Sequence, residues 1–116
     1  MQLSTSRKSA FTLVEIMIVV AIIGLLAAIA IPNFIKARET SQQKACIENL
    51  RQIRGAMATW AFENKKHGWE IPVDSDLYGP TLYIRAKPEC PAEGVYFEGA
   101  IDDPLAPFCS IAGHTL

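Results

Sequence analysis

The sequence has few of the residues and spacings that mark a metal site. Only two histidines and three cysteines occur among its 116 residues. No two of them follow the C-x2-C or H-x3-H spacing that is typical of zinc ligands. Neither a metal nor a cofactor is therefore predicted for these residues, which are Cys46, Cys90, Cys109, His67 and His114.

The sequence also lacks a recognisable catalytic motif. Cys109, His114 and Asp103 are residue types from which a thiol nucleophile and its base are built. No local signature connects them, and a disulfide at Cys109 would remove the thiol. No catalytic residue is predicted, and the chain is not expected to be an enzyme.

Charge gives no specific support for nucleic-acid binding. The net charge is −1, but residues 32–66 carry seven basic and three acidic side chains, and residues 67–116 carry two basic and eight acidic ones. In the basic segment Glu39, Glu48 and Glu63 alternate with the cations, which favours a solvated helix face, and the aromatic residues do not interleave with them. Opposite charges on the two segments would steer one subunit toward the next.

One long apolar run dominates the N-terminal region. Residues 10–31 are apolar apart from Thr12 and Glu15. As a helix the run would be roughly 33 Å long, close to the thickness of bilayer hydrocarbon, so a transmembrane helix is predicted. A carboxylate there is costly, so Glu15 either has a function or lies shallow enough to reach the headgroups.

The residues around Glu15 resemble the processing site of type IV pilins and type II secretion pseudopilins. Residues 7–15 read Arg-Lys-Ser-Ala-Phe-Thr-Leu-Val-Glu. That family has a short basic leader and a small residue before the cut, followed by Phe-Thr-Leu-x-Glu at the start of a hydrophobic helix. Gly24 and Pro32 also occur where family members commonly carry glycine and proline. One departure is Ala10, because glycine usually precedes the cut.

The resemblance implies how the N-terminal region is processed and used. Residues 1–10 would be a leader that a prepilin peptidase removes between Ala10 and Phe11, after which it methylates the new amine of Phe11. Glu15 would act in assembly. Residues 11–32 would form a helix that spans the membrane and later lies in the filament core, with residues 24–32 able to lose helicity there.

The resemblance also implies location and partners. The chain would cross the inner membrane once, with its N-terminus in the cytoplasm and its head outside, and would later join a periplasmic or extracellular filament. Its partners would be copies of itself, the peptidase, an inner-membrane assembly platform and, before assembly, lipid. The sequence does not separate a pilus from a secretion or DNA-uptake pseudopilus, nor a major from a minor subunit.

The rest of the chain predicts an α+β, pilin-like fold. Residues 33–67 read as an amphipathic helix, and residues 68–116 as a small β-rich head that packs on it, because so few residues cannot bury a core alone. Residues 95–97 and 108–111 are the best candidates for an antiparallel strand pair. We call the apolar positions of the helix the stripe; they recur at helical spacing and are Cys46, Leu50, Ile53, Met57 and Trp60.

Two features of the head bear on its stability and on calcium binding. A disulfide between Cys90 and Cys109 would close a loop of about 20 residues, leaving Cys46 as a small buried hydrophobe. Asp102 and Asp103 occur near the end of the head, where major secretion pseudopilins bind calcium. Two adjacent carboxylates are too few for that ion without help from Glu98 or backbone oxygens, so a solvated turn is favoured.

Two functions from different classes follow from these observations. The first is a structural subunit that polymerises into a type IV pilus-like filament or a secretion pseudopilus. The alternative is a small, disulfide-bonded binding module, either secreted or membrane-anchored, that uses the apolar run only as a signal or anchor. Its signal would be cut after Ala30, at an A-x-A site formed by residues 28–30, although the run is longer than a usual signal-peptide core.

Overall fold

The fold consists of one long helix and a head with little regular structure. The computed structural model describes residues 12–116, so the expected cleavage and methylation site at Ala10 and Phe11 lies outside the described residues. The predicted fold class, a long helix with a small antiparallel sheet, is confirmed. The elements are α1 (Leu13–Asn64), α2 (Asp74–Leu77), β1 (Tyr96–Phe97) and β2 (Phe108–Cys109).

The chain forms two compact units, one ending at Ala37 and the other comprising Arg38–Leu116. In the first unit the large apolar side chains of α1 are exposed, with Leu13 at 81% and Leu25 at 66%. Within the described residues, α1 is the helix that is long and apolar enough to cross a membrane. No residue of its most apolar segment is buried. Between residues 12 and 37, the described part of this unit, no other element covers these side chains.

The second unit is built on the stripe. All five predicted stripe residues are buried, and Ala56 joins them. The head contributes four buried side chains to the same core, namely Leu77, Cys90, Tyr96 and Ala106. The prediction that the head packs on the C-terminal half of the helix is therefore confirmed.

The C-terminal end of α1 is closed by a left-handed residue. Lys65 has a φ of 53°, and the N–H of Lys66 donates to the carbonyl of Ala61 at 2.9 Å. This pattern satisfies a free carbonyl at the end of a helix and usually uses glycine at the position of Lys65. The helix thus ends at Asn64, slightly before the predicted end at residue 67.

The two strands are shorter than predicted but lie where predicted. They are antiparallel, with Tyr96 opposite Cys109 and Phe97 opposite Phe108. Beyond this pair the N–H of Ser110 donates to the carbonyl of Val95 at 2.9 Å, while the N–H of Val95 donates to Ser110 Oγ at 2.8 Å. A side-chain oxygen therefore replaces the next backbone acceptor, and the regular ladder stops.

A polar network joins α2 to the loops of the head. Lys87 Nζ lies 3.0 Å from Asp74 Oδ1 and 3.1 Å from Glu98 Oε1, and the Tyr78 hydroxyl donates to Glu98 Oε1 at 3.0 Å. Burial and the charges of Glu98 and Asp74 raise the pKa of Tyr78 far above its usual range. Burial alone would lower the pKa of Lys87, but these two carboxylates raise it.

The raised pKa of Tyr78 predicts a loss of stability at high pH. The usual tyrosine pKa is 10.0, so above that pH the unfolded chain releases a proton that the folded chain keeps, and rising pH favours unfolding. In Tyr78→Phe this contribution is absent, so its free energy of unfolding should fall less steeply with pH. Denaturant titrations of the full chain in detergent, followed by tryptophan fluorescence, measure both slopes. Equal slopes would contradict the assignment.

Candidate functional site

The start of α1 is closed by a reciprocal pair of hydrogen bonds between Thr12 and Glu15. The N–H of Glu15 donates to Thr12 Oγ1 at 3.2 Å, and the N–H of Thr12 donates to Glu15 Oε2 at 3.3 Å. This is a capping box, which the Thr-x-x-Glu pattern signals in a sequence. A role for Glu15 was predicted from its charge alone, and the structure adds this second role. The carboxylate is held at the end of the helix where the peptide dipoles favour negative charge.

Gly24 and Pro32 both lie inside α1, which is helical through each of them. A Cβ atom built on Gly24 would meet nothing within 4 Å. No contact among the described residues therefore requires a glycine at this position. The expectation that residues 24–32 lose helicity in a filament stays a prediction.

A cluster of three thiols and one imidazole lies in the second unit. Cys46 comes from α1, Cys90 from the turn before β1, Cys109 from β2 and His114 from the C-terminal turn. The three sulfurs and a ring nitrogen of His114 all lie within 4.8 Å of one another. Cys46, Cys90 and His114 are buried, and Cys109 is partly buried. We refer to these four residues as the thiol–imidazole cluster.

The turn that carries Cys90 brings the backbone close to two sulfurs. The N–H of Glu93 donates to the carbonyl of Cys90 at 3.0 Å. A Cβ atom on Gly94 would lie 2.7 Å from the Cys109 sulfur and 3.2 Å from the Cys90 sulfur. Only glycine fits here without displacing the cluster.

The cluster's environment affects two of its thiols in opposite directions. Burial raises the pKa of the Cys46 thiol to about 12, and a hydrogen bond with Tyr96 offsets this only in part. Burial would also raise the pKa of Cys90, but hydrogen bonds from the Ala92 and Gly94 backbone, from Cys46 and from His114 lower it to about 6. Cys90 is therefore the better placed of these two thiols to carry negative charge.

Three amide side chains of α1 fix the loops that carry the cluster. Each donates an N–H to a backbone carbonyl directly beside Cys90 or His114. Because the donors lie on one helix, the two loops are held against the same rigid element. The bonds run from Gln42 to Pro91 (3.2 Å), from Gln43 to Gly113 (2.8 Å) and from Asn49 to Glu89, which precedes Cys90 (3.1 Å).

The structure brings the three cysteines together in one place. All three are free thiols, so the Cys90–Cys109 disulfide stays a prediction. Cys46 is buried on the stripe, as predicted, and its sulfur belongs to the same cluster. Local spacing gave no sign of this, because the four residues are far apart in the chain and meet only after the head packs on α1.

The other residues considered from the sequence have ordinary structural contacts. Asp103 Oδ1 accepts the N–H of Leu105 at 2.9 Å, which is a turn contact. Glu98, the expected helper of a calcium site, is bound to Tyr78 and Lys87. His114 Nδ1 lies 3.6 Å from the sulfur of Cys90, a residue that the proposed thiol–base set did not include.

Comparison with known proteins relates the chain to two kinds of filament protein. The Prokaryotic N-terminal methylation motif matches residues 5–31. The chain is 49% identical over 61 residues to the type IV major pilin protein PilA of Myxococcus xanthus, covering 53% of this chain and 28% of that protein. It is 27% identical over 99 residues to the type II secretion system core protein G of Aeromonas hydrophila, covering 84% and 68%.

A third relative has similar coverage to the Myxococcus pilin. The type IV major fimbrial protein FimA of Dichelobacter nodosus is 44% identical over 63 residues, covering 54% of this chain and 40% of that protein. The chain thus covers less than two thirds of either fimbrial relative's own length. No solved structure is significantly similar to it. The resemblance to type IV pilins and type II secretion pseudopilins, predicted from the residues around Glu15, is confirmed.

The close approach at Gly94 predicts opposite effects for two glycine substitutions. Gly94→Ala places a methyl group against two sulfurs and should lower the free energy of unfolding by about 1–3 kcal/mol, as overpacking does. Gly55→Ala is the matched control, because a Cβ there meets nothing within 4 Å and alanine is favoured inside a helix by about 0.5–1 kcal/mol. Denaturant unfolding of both variants is the measurement. A Gly94→Ala chain as stable as wild type would show that the cluster is looser than described.

Proposed function

We propose that the chain is a structural subunit of a type IV pilus-like filament or secretion pseudopilus, with no catalytic activity of its own. The observation that carries this proposal is the methylation motif at residues 5–31, which overlaps an apolar helix segment with no buried residue. An apolar surface of this size is stable only in lipid or against other apolar helices. In this proposal it is inserted in the inner membrane first and packed among copies of itself afterwards.

Processing would convert the precursor into the subunit. A prepilin peptidase would cut between Ala10 and Phe11 and methylate the amine of Phe11, with the N-terminus in the cytoplasm and the head outside. The mature helix would then begin with a cationic amine close in sequence to the Thr12–Glu15 capping box. An inner-membrane assembly platform would add the subunit to the growing filament.

Glu15 would select the register of assembly through its charge. A carboxylate and an amine are both costly in hydrocarbon, and each is the other's nearest means of neutralisation. The capping box supports this role, because it holds the carboxylate toward Thr12, the neighbour of Phe11 in the chain. The amine of an incoming subunit would neutralise the Glu15 of a subunit already in the filament. Stability would come from apolar packing along residues 16–31.

Gly24 and Pro32 would give the apolar helix the freedom to adapt in the filament. Proline removes one backbone donor and glycine adds conformational freedom, so residues 24–32 would unwind at lower cost than their neighbours.

The anchored or secreted binding module is the alternative, and the mature N-terminus distinguishes the two. Mass spectrometry of the mature chain should give the mass of a chain that begins at methylated Phe11. A chain that begins at Ile31 would contradict the filament proposal, because the segment that fills the filament core would be missing.

Ala10 provides a direct test of the processing enzyme. Ala10→Leu should leave uncut precursor in the membrane, because a bulky side chain does not fit a site shaped for a small residue. Ala10→Gly is the matched control and should be cut at least as fast as wild type, since it restores the residue usual in the family. Immunoblots of membrane fractions measure both. Normal maturation of Ala10→Leu would indicate a different peptidase.

Glu15 can be tested with its charge and its capping role separated. Glutamine also forms a capping box, so Glu15→Gln keeps the helix start and removes the charge, and it should insert and be cut but assemble poorly. Thr12→Val keeps the charge, removes the capping oxygen and should assemble much better than Glu15→Gln. Quantifying sheared filaments against membrane-bound subunit compares them. If Glu15→Gln assembles as well as wild type, the charge is not needed and Glu15 acts only as a capping residue.

A further inference from the structure

We propose that the thiol–imidazole cluster is a structural zinc site, with Cys46, Cys90, Cys109 and His114 as its four ligands. The proposal concerns the head alone and does not depend on whether the chain forms a filament. Nothing in the comparisons points to it, because the similarity they report concerns the methylation motif and the pilin-like chain as a whole.

The spacing of the four side chains fits a tetrahedral zinc ion. Zinc–sulfur bonds of about 2.3 Å and zinc–nitrogen bonds of about 2.0–2.1 Å place neighbouring ligand atoms roughly 3.5–3.8 Å apart. The four ligand atoms already lie within 4.8 Å of one another, and Cys90 Sγ lies 3.6 Å from His114 Nδ1. Small side-chain adjustments would centre an ion. Four protein ligands close the coordination sphere, which is typical of structural rather than catalytic zinc.

The backbone beside Cys90 lies close to two of the proposed ligands. A Cβ atom on Gly94 would lie 2.7 Å from the Cys109 sulfur and 3.2 Å from the Cys90 sulfur, so the Gly94 peptide lies next to the metal position. Groups packed against the ligands orient them in metal sites.

His114 is the observation that favours zinc over a disulfide. Among the described residues of the second unit, His114 is the polar residue that is buried, with 7% of its surface exposed. Its Nδ1 atom faces the Cys90 sulfur. A Cys90–Cys109 disulfide would use two sulfurs and give neither His114 nor the fully buried Cys46 a role. A zinc ion uses all four residues at once, which explains why a histidine is buried among thiols.

The site would join three segments of the head to the helix. Its ligands come from α1, from the turn before β1, from β2 and from the C-terminal turn, and the sheet itself has only two residues in each strand. A structural zinc ion contributes directly to folding free energy in small domains with little core. The three amide contacts from α1 to the loops beside Cys90 and His114 would then hold the ligands in place.

Metal content of the full chain tests the proposal. The chain, purified in detergent with its thiols reduced and then given Zn²⁺ and gel-filtered, should retain about one zinc ion per molecule by mass spectrometry. Co²⁺ in its place should give the sulfur-to-metal charge-transfer bands and strong visible bands of a tetrahedral thiolate site. The wild-type unfolding midpoint should rise with zinc and fall with a chelator.

Variants separate the site from adventitious binding. His114→Gln should weaken zinc binding by more than the roughly 10–100-fold that the loss of an outer-sphere partner costs. His67→Gln is the matched control, since His67 is the chain's other histidine, is exposed and stacks on Trp69, and it should bind zinc as wild type does. His114→Cys keeps four ligands, so it should retain the metal and shift the cobalt spectrum, which guards against mere misfolding of the glutamine variant.

Three results would overturn the proposal. The first is a reduced wild-type chain that binds no zinc, and the second is a His114→Gln chain that binds it as tightly as wild type. The third is a Cys90–Cys109 disulfide found by peptide mapping of chain whose thiols were alkylated in intact cells. In that case the cluster is a redox-bonded pair with Cys46 beside it, as the sequence suggested.

Discussion

The structure depends on one constraint, namely that the head cannot bury a core of its own. About 50 residues enclose too little apolar surface for independent stability, and the sheet has two residues in each strand. The head therefore packs on the stripe of α1, in which Leu50 and Ile53 have no exposed surface. Amide side chains of the same helix also hold the loops beside Cys90 and His114 against this surface.

Helix α1 serves two purposes that its sequence separates cleanly. Its C-terminal part carries a single apolar stripe and uses it within the second unit. Its N-terminal part is apolar on all sides, and its side chains are exposed among the described residues of the first unit. A helix that is apolar all round needs a surrounding apolar medium, such as lipid or other apolar helices. This is the physical basis of the proposed intermolecular role.

Much of the fold was predictable because the signals are local. The spacing of Cys46, Leu50 and Ile53 along the stripe predicts which face is buried, and turn residues on either side mark the two strands. The capping box at Thr12 and Glu15 also has a local sequence signal, the Thr-x-x-Glu pattern. Only the charge of Glu15 entered the prediction. The thiol–imidazole cluster was not readable, because its members share no local spacing and meet only through tertiary packing. Metal motifs in sequences reveal ligands that are neighbours, and these are not.

The central claim is that α1 is used twice, once by its own head and once by other copies. Electron cryomicroscopy of filaments from the native cell tests it most directly. The account predicts helices of residues 16–31 packed together along the filament axis, each with Glu15 beside the amine of a neighbour's Phe11, and heads on the outside. Filaments whose core lacks these residues, or a chain found only as an isolated membrane-anchored or released head, would contradict it.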